Sequence, residues 1–148
     1  MLANTAEIKV GRLLEVRVAA GYRTVEDVDA LFDTLDAHVA KLPPGVRHVT
    51  AADWTRCVVM APRAADRLKQ RIAAVNASTD RSAVLAVTDL PIAVVQFLRI
   101  IREAGNPDRR LFYSASEMIT WLGERLTADE STRLHQFLTE LHAPARQG

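Results

Sequence analysis

Apolar positions change their period several times along this chain, and each change marks an element. In "LLEVRVA", Leu14, Val16 and Val18 alternate with Glu15 and Arg17, the two-residue period of a strand with one buried face. With the preceding "EIKV", the pattern predicts strands over 7–10 and 13–19, joined by Gly11-Arg12. Glycine first in a two-residue connection suits a type II′ hairpin. Beyond Gly21 the period lengthens. Val25, Val28, Leu31, Phe32, Leu35 and Val39 recur at helical spacing, while Glu26, Asp27, Asp29, Asp33 and Asp36 make the other faces acidic, as expected of a solvated surface. Thr24 and Asp27 stand in capping-box positions, and Pro43-Pro44-Gly45 stops the helix.

"VRHVTAADW" then predicts a short strand, and the helix that follows runs from Pro62 to about Asn76. It buries Ala64, Ala65, Leu68, Ile72 and Val75 and carries Arg63, Arg67 and Arg71 on its opposite side. Those arginines are expected to be solvated, with a grip on phosphate or on an acidic partner as the alternative. Ala61 is a poor N-cap, so this helix opens bare where others open on oxygen-bearing residues. "RSAVLAVTD" is apolar almost throughout, the mark of a strand covered on both faces.

A helix from Pro91 to Ala104, led in by Asp89 or Leu90, turns Val94, Phe97, Leu98, Ile100, Ile101 and Ala104 inward. Ile92 and Val95 fall on the side of Gln96, Arg99, Arg102 and Glu103, so either a neighbouring element covers them or they mark a contact patch. "DRRLFYS" supplies the last strand. Two helices follow, opened by Ser114 with Glu117 and by Thr127 with Glu130; Met118, Trp121 and Leu122 form one core stripe, and Leu134, Phe137, Leu138 and Leu141 another. The final helix, 127–143, is expected to pack on the domain, with a homodimer interface as the alternative, and "PARQG" to fray.

The order β-β-α-β-α-β-α-β-α-α predicts a single α/β domain: a mixed, mostly parallel sheet flanked by helices, with an antiparallel edge from the first hairpin. Residues 1–125 form its body, and 126–148 the helix and tail packed on it. A chain of 148 residues can bury about two-thirds of its unfolded surface in one core.

Charge and composition then narrow the function. A net charge of +1 offers no global field for nucleic acid or an anionic membrane. No apolar run approaches the ~20 residues that span a bilayer, and "MLANTAEIKV" lacks the basic start and apolar core of a secretory signal, so no membrane insertion and a cytoplasmic location are expected. The lone Cys57 excludes an internal disulfide and is expected to be a small buried residue. Six scattered glycines form no phosphate loop, and no serine stands in a nucleophile elbow. His38, His48, His135 and His142 have no metal-ligand spacing and are expected at the surface; no metal, cofactor or catalysis is expected. Asp53 and Asp89 each end a strand, where turn-forming or capping roles are expected, with an enzyme site beside His48 as the remote alternative.

Three stretches carry a family resemblance. "VRVAAGYRTVEDVDALFDTL", "TAADWTRCVVMAPRAADRL" and "RRLFYSASEMITWL" resemble, in order and separation, the strand-to-helix junctions of STAS domains, the fold of anti-sigma-factor antagonists and sulfate-transporter tails, with looser lipid-domain relatives. The likeness spans 7–125. It implies a small mixed sheet flanked by helices, no cofactor, and action by docking on a protein partner. It also implies an aspartate-serine pair, the serine phosphorylatable, at the start of the second helix. Here Ala61-Pro62-Arg63 occupies that position, so the helix is bare where the family keeps its switch; Thr55 is the substitute hydroxyl. The docking surface expected from the resemblance comprises Trp54, Thr55, Arg56, Met60, Pro62 and Arg63, joined by Ile92 and Val95. The alternative is a small apolar or lipid-like ligand held between sheet and helices, which requires an internal cavity.

Overall fold

All six residues of β3 (His48–Asp53) and all seven of β4 (Thr79–Leu85) are buried, because helices cover both faces of the sheet they centre. The computed structural model describes residues 3–142. Its other strands are β1 (Asn4–Ile8), β2 (Leu13–Val18) and β5 (Arg109–Phe112). The order across the sheet is β1-β2-β3-β4-β5, with β1 antiparallel to β2 and the rest parallel. Helices α1 (Val25–Val39), α2 (Pro62–Ala74) and α3 (Pro91–Ala104) connect successive parallel strands and share one apolar cluster with Leu14, Val16, Ala52 and Val84. The opposite face, with Leu13, Val49, Ala51 and Ala83, packs on α4 (Ala115–Gly123) and α5 (Ala128–His142). The expected α/β class is observed, as three layers. The tail 144–148, Ala143 and the side chains of Leu141 and His142 lie outside the described residues.

β1 starts earlier than the pattern predicts. Leu13 N–H donates to Val10 O across Gly11-Arg12, so Lys9 and Val10 belong to the turn rather than the strand. Gly11 has φ of 58° while Arg12 does not have a positive φ, as a type II′ turn requires. At the other end Asn4 holds the strand by bonds to Gly21 O and from Ala20 N–H. Asn and Thr carry no apolar period, which hides this strand in the sequence.

Two polar surfaces predicted to face water are buried or engaged. Glu15 is 2% exposed because α5 covers that face of β2, and Arg133 of α5 grips both its carboxylate oxygens at 2.8 Å. The same Arg133 reaches Glu140, which also accepts from Arg17, and the Arg17 guanidinium lies 4.6 Å from the Phe137 ring centre. On the other face, Arg67 and Arg71 of α2 reach across to α1: Arg67 is bidentate to Asp29, and Arg71 contacts Asp29, Asp33 and Asp36 at 3.0–3.1 Å. The acidic face of α1 is thus half of an interhelical clamp. Only Arg63 of the predicted basic stripe remains outside it.

Leu98, expected inward, is 46% exposed at the edge of the arc, and Ala93, on the arc's other side, is buried. The three expected N-caps form: Thr24 Oγ accepts from Asp27 N–H, Ser114 Oγ from Glu117 N–H, and Thr127 Oγ from Glu130 N–H. Among the described residues the reciprocal bond of a full capping box is made only at Thr127, since Asp27 accepts from Arg23 N–H instead. Glu130 returns a bond to Thr127 N–H and accepts a further one from Arg12 N–H, which fastens the head of α5 to the first hairpin.

Removing one member of a buried ion pair leaves the other charge uncompensated. Glu15→Leu and Arg133→Met are each expected to lower unfolding free energy by about 3 kcal/mol, whereas the double substitution recovers most of that loss. Urea denaturation of the three variants checks it; additive losses would show that the pair is not coupled.

Candidate functional site

The loop between β3 and α2 begins as an extension of the sheet. Trp54 N–H donates to Leu85 O at 2.9 Å, and its indole is buried edge-on between Tyr22 (6.2 Å) and Phe97 (5.0 Å). Asp53 Oδ1 accepts from both the N–H and the hydroxyl of Thr55, at 2.8 and 2.6 Å, which makes it a turn former as expected. The Thr55 proton is thereby committed to a carboxylate, and a phosphoryl group there would face that same negative charge. Cys57 N–H closes the turn onto Trp54 O; burial pushes the thiol up to about 12, so it stays protonated and unreactive at neutral pH.

A clamp then fixes the rest of the loop. Gln96 of α3 accepts from Met60 N–H at 2.7 Å and donates to Met60 O at 2.9 Å, occupying both backbone groups of one residue. The Met60 side chain is 5% exposed. Trp54 and Met60 are therefore core anchors rather than docking residues, a correction to the expected site. Val58 and Val59 are exposed instead, at 56% and 52%.

Arg56, Pro62 and Arg63 are exposed, and neither arginine forms an ion pair among the described residues. Ala61 is extended, with no side-chain cap on the α2 N-terminus; α3 likewise opens on Leu90 without one. Ile92 and Val95 are 75% and 68% exposed, so the covered reading of this pair fails. Ile92 lies one turn before Gln96 on α3 and Val95 immediately precedes it, so the bonds from Gln96 to Met60 tie the end of the loop to this part of α3. Pro62 and Gln96 line one surface groove between α2 and α3, while Arg56, Val58, Val59 and Arg63 are exposed on the loop and the first turn of α2, Ile92 and Val95 are exposed on α3, and Thr55 is half-buried at the base of the loop. Sequence patterning missed the valines because loops carry no periodicity.

The second feature lies inside, between the sheet and helices α1 and α2. Thr50, Ser82 and Arg109 stand in register across β3, β4 and β5, and Ala52 and Val84 form the next row. Such small residues leave a cavity of about 40 Å³ against Phe32, Leu35 and Ile72. His48, expected at the surface, is 1% exposed at its polar end. A register shift after His48 explains the arrangement: the extra residue in β4 puts Thr79 beside His48 and turns Asp80 outward to Arg12, Arg47 and Arg125. Thr79 donates its proton to Val75 O, so it accepts from His48 Nε2–H, and Thr50 donates to His48 Nδ1. The imidazole is neutral. Burial first, then the charges of Arg109 and Arg12, lower it to about 4.

His48 and Asp53 close opposite ends of one strand, roughly 17 Å apart by strand rise, and Asp89 is exposed. These three residues do not converge. Among the described residues no cluster of metal-ligating side chains forms, and no helix is long and apolar enough to cross a membrane. Comparison with protein-family models, curated proteins and solved structures yields no match.

Two outcomes follow from this geometry. Gln96→Ala is expected to cost about 1–2 kcal/mol and to raise hydrogen exchange at the Met60 amide, while Gln96→Glu preserves only the acceptor half. Because the folded His48 binds its proton only near pH 4, its contribution to stability is complete above about pH 6.5 and falls as pH drops toward 4. Between pH 7.5 and 4.5 the wild type is expected to lose about 2 kcal/mol more than His48→Gln, measured by chemical denaturation at both pH values.

Proposed function

We propose that this chain is a non-enzymatic protein-interaction module of STAS-like architecture, docking through the β3–α2 loop and the first turns of α2 and α3. The supporting observation is the exposure of four apolar residues, Val58 and Val59 on a loop held by Gln96 and Ile92 and Val95 on the helix that carries Gln96. Apolar side chains fixed in place bind with little ordering cost, the property that distinguishes a binding patch from a loose hydrophobic loop. Arg56 and Arg63 lie at its margin together with two uncapped helix N-termini, whose partial positive charge adds to theirs. The partner that fits is a protein with an apolar centre and an acidic rim. Electrostatics steers such an encounter, and the apolar centre slows its dissociation.

The family likeness adds to this reading through the element order and the position of the loop. The departure at Ala61-Pro62-Arg63 gives it a specific form. Proline needs no N–H partner at the first helical position and presets its φ, so the helix starts without a cap. No hydroxyl is present there to carry phosphate, and docking through this surface is not switched at that site.

The test is affinity capture with quantitative mass spectrometry, using wild-type, Arg63→Glu and Ile92→Asp baits and Glu117→Lys on α4 as control. A partner of this surface is retained by the control and lost at least about 30-fold from both other variants, as for a hot-spot contact. Equal retention of every captured protein by all four baits would reject the surface.

A further inference from the structure

The interior cavity holds a cation without an anion. Arg109 is 7% exposed, yet among the described residues it has no carboxylate partner; its one side-chain hydrogen bond runs from Nη1 to Asn76 Oδ1 at 2.8 Å. Asn76 is itself fixed by donation to Ala104 O and Gly105 O, so the guanidinium is tethered through Nη1 while the residue lines the cavity. Burial alone lowers it, to about 10, which leaves it charged at neutral pH. A buried charge without a counter-charge is costly, and elsewhere in this sheet buried Glu15 and Asp80 each have arginine partners. Arg109 is the exception.

The groups around it are matched to an anion. Ser82 stands directly across from Arg109 in the β4–β5 register, and its hydroxyl makes no hydrogen bond within the described residues. The His48 and Thr50 protons are already committed, and His48 is neutral, so no carboxylate and no second cation lines the space. The remainder of the wall is Val16, Phe32, Leu35, Trp54, Ile72 and Val84. A cavity of about 40 Å³ leaves room for a small solute against these walls.

We propose that this cavity binds a small monocarboxylate, its carboxylate on Arg109 and Ser82 and its alkyl part against Phe32, Leu35 and Ile72. The planar guanidinium fork matches a carboxylate in two parallel bonds, and one positive charge neutralises one negative charge. Inorganic phosphate, as a dianion, would bring an uncompensated charge into the same apolar walls. The site is independent of the docking surface, so either can fail without the other.

The experiment is an NMR titration of the full chain with sodium propionate at constant ionic strength, following the His48 ring and the Ser82 amide. Saturable shifts at both are expected, with nuclear Overhauser contacts from the propionate methyl to Leu35 or Ile72. Propionamide, of the same shape without charge, and inorganic phosphate are each expected to bind at least about tenfold more weakly. Arg109→Gln abolishes the shifts; if that variant does not fold, Ser82→Ala keeps its spectrum and weakens propionate about fivefold. No saturable shift at cavity residues would overturn the proposal. So would propionamide or phosphate equal to propionate, or unchanged affinity in a folded Arg109→Gln or Ser82→Ala.

Discussion

A sheet covered on both faces leaves its polar side chains no solvent to retreat into, and this constraint organises much of the molecule. Most polar groups on β2, β3 and β4 therefore find partners within the protein, several of them on other elements. Glu15 finds Arg133 on α5, Thr50 and Thr79 find His48, and Asp80 finds three arginines from outside the sheet. Arg81 donates to Trp121 O and Glu124 and lies over the Trp121 ring, although its Nε remains without a partner. These bonds do more than compensate burial. Each is directional, so together they fix the height and rotation of α4 and α5 against a sheet whose apolar contacts alone would permit sliding.

The same constraint acts differently on the α1–α3 side. There the interhelical contacts are ion pairs at the rim, and the apolar layer beneath is built from small residues on β3 and β4 opposite large ones on the helices. Large-on-small packing fills most of the space. It fails at the row containing Thr50, Ser82 and Arg109, where two short polar side chains stand next to a long one tethered at its tip. The cavity is the consequence of that row.

Much of the architecture was legible because period and caps agree along most of the chain. The helical stripes, the three side-chain N-caps, the covered strand "RSAVLAV" and the glycine turn follow from local rules that the tertiary structure does not override. What escaped was non-local. The alternation in β2 marks Glu15 as polar but cannot say that α5 arrives 118 residues later with an arginine for it. A bulge in β4 is invisible in a continuous strand pattern, and with it went the burial of His48. At the β3–α2 loop, composition showed an apolar and basic stretch, but which apolar residues face outward depends on Gln96 gripping Met60, a contact between elements 36 residues apart. Trp54 and Met60, the most conspicuous anchors in the sequence, are used internally for that reason.

The loop and the cavity meet at Trp54, which lines the cavity and also carries the first backbone bond of the loop, to Leu85. Its edge-on contacts with Tyr22 and Phe97 leave the ring little freedom to turn without displacing a neighbour. A small occupant beside Arg109 therefore fits behind a fixed wall, and the outer surface stays as it is. A larger occupant has to move the indole, and the indole is tied through its own backbone to the residues that present Val58 and Val59. One tryptophan thus serves as a wall of the interior and as the start of the exposed loop, and its packing against two aromatic rings holds both roles in one position.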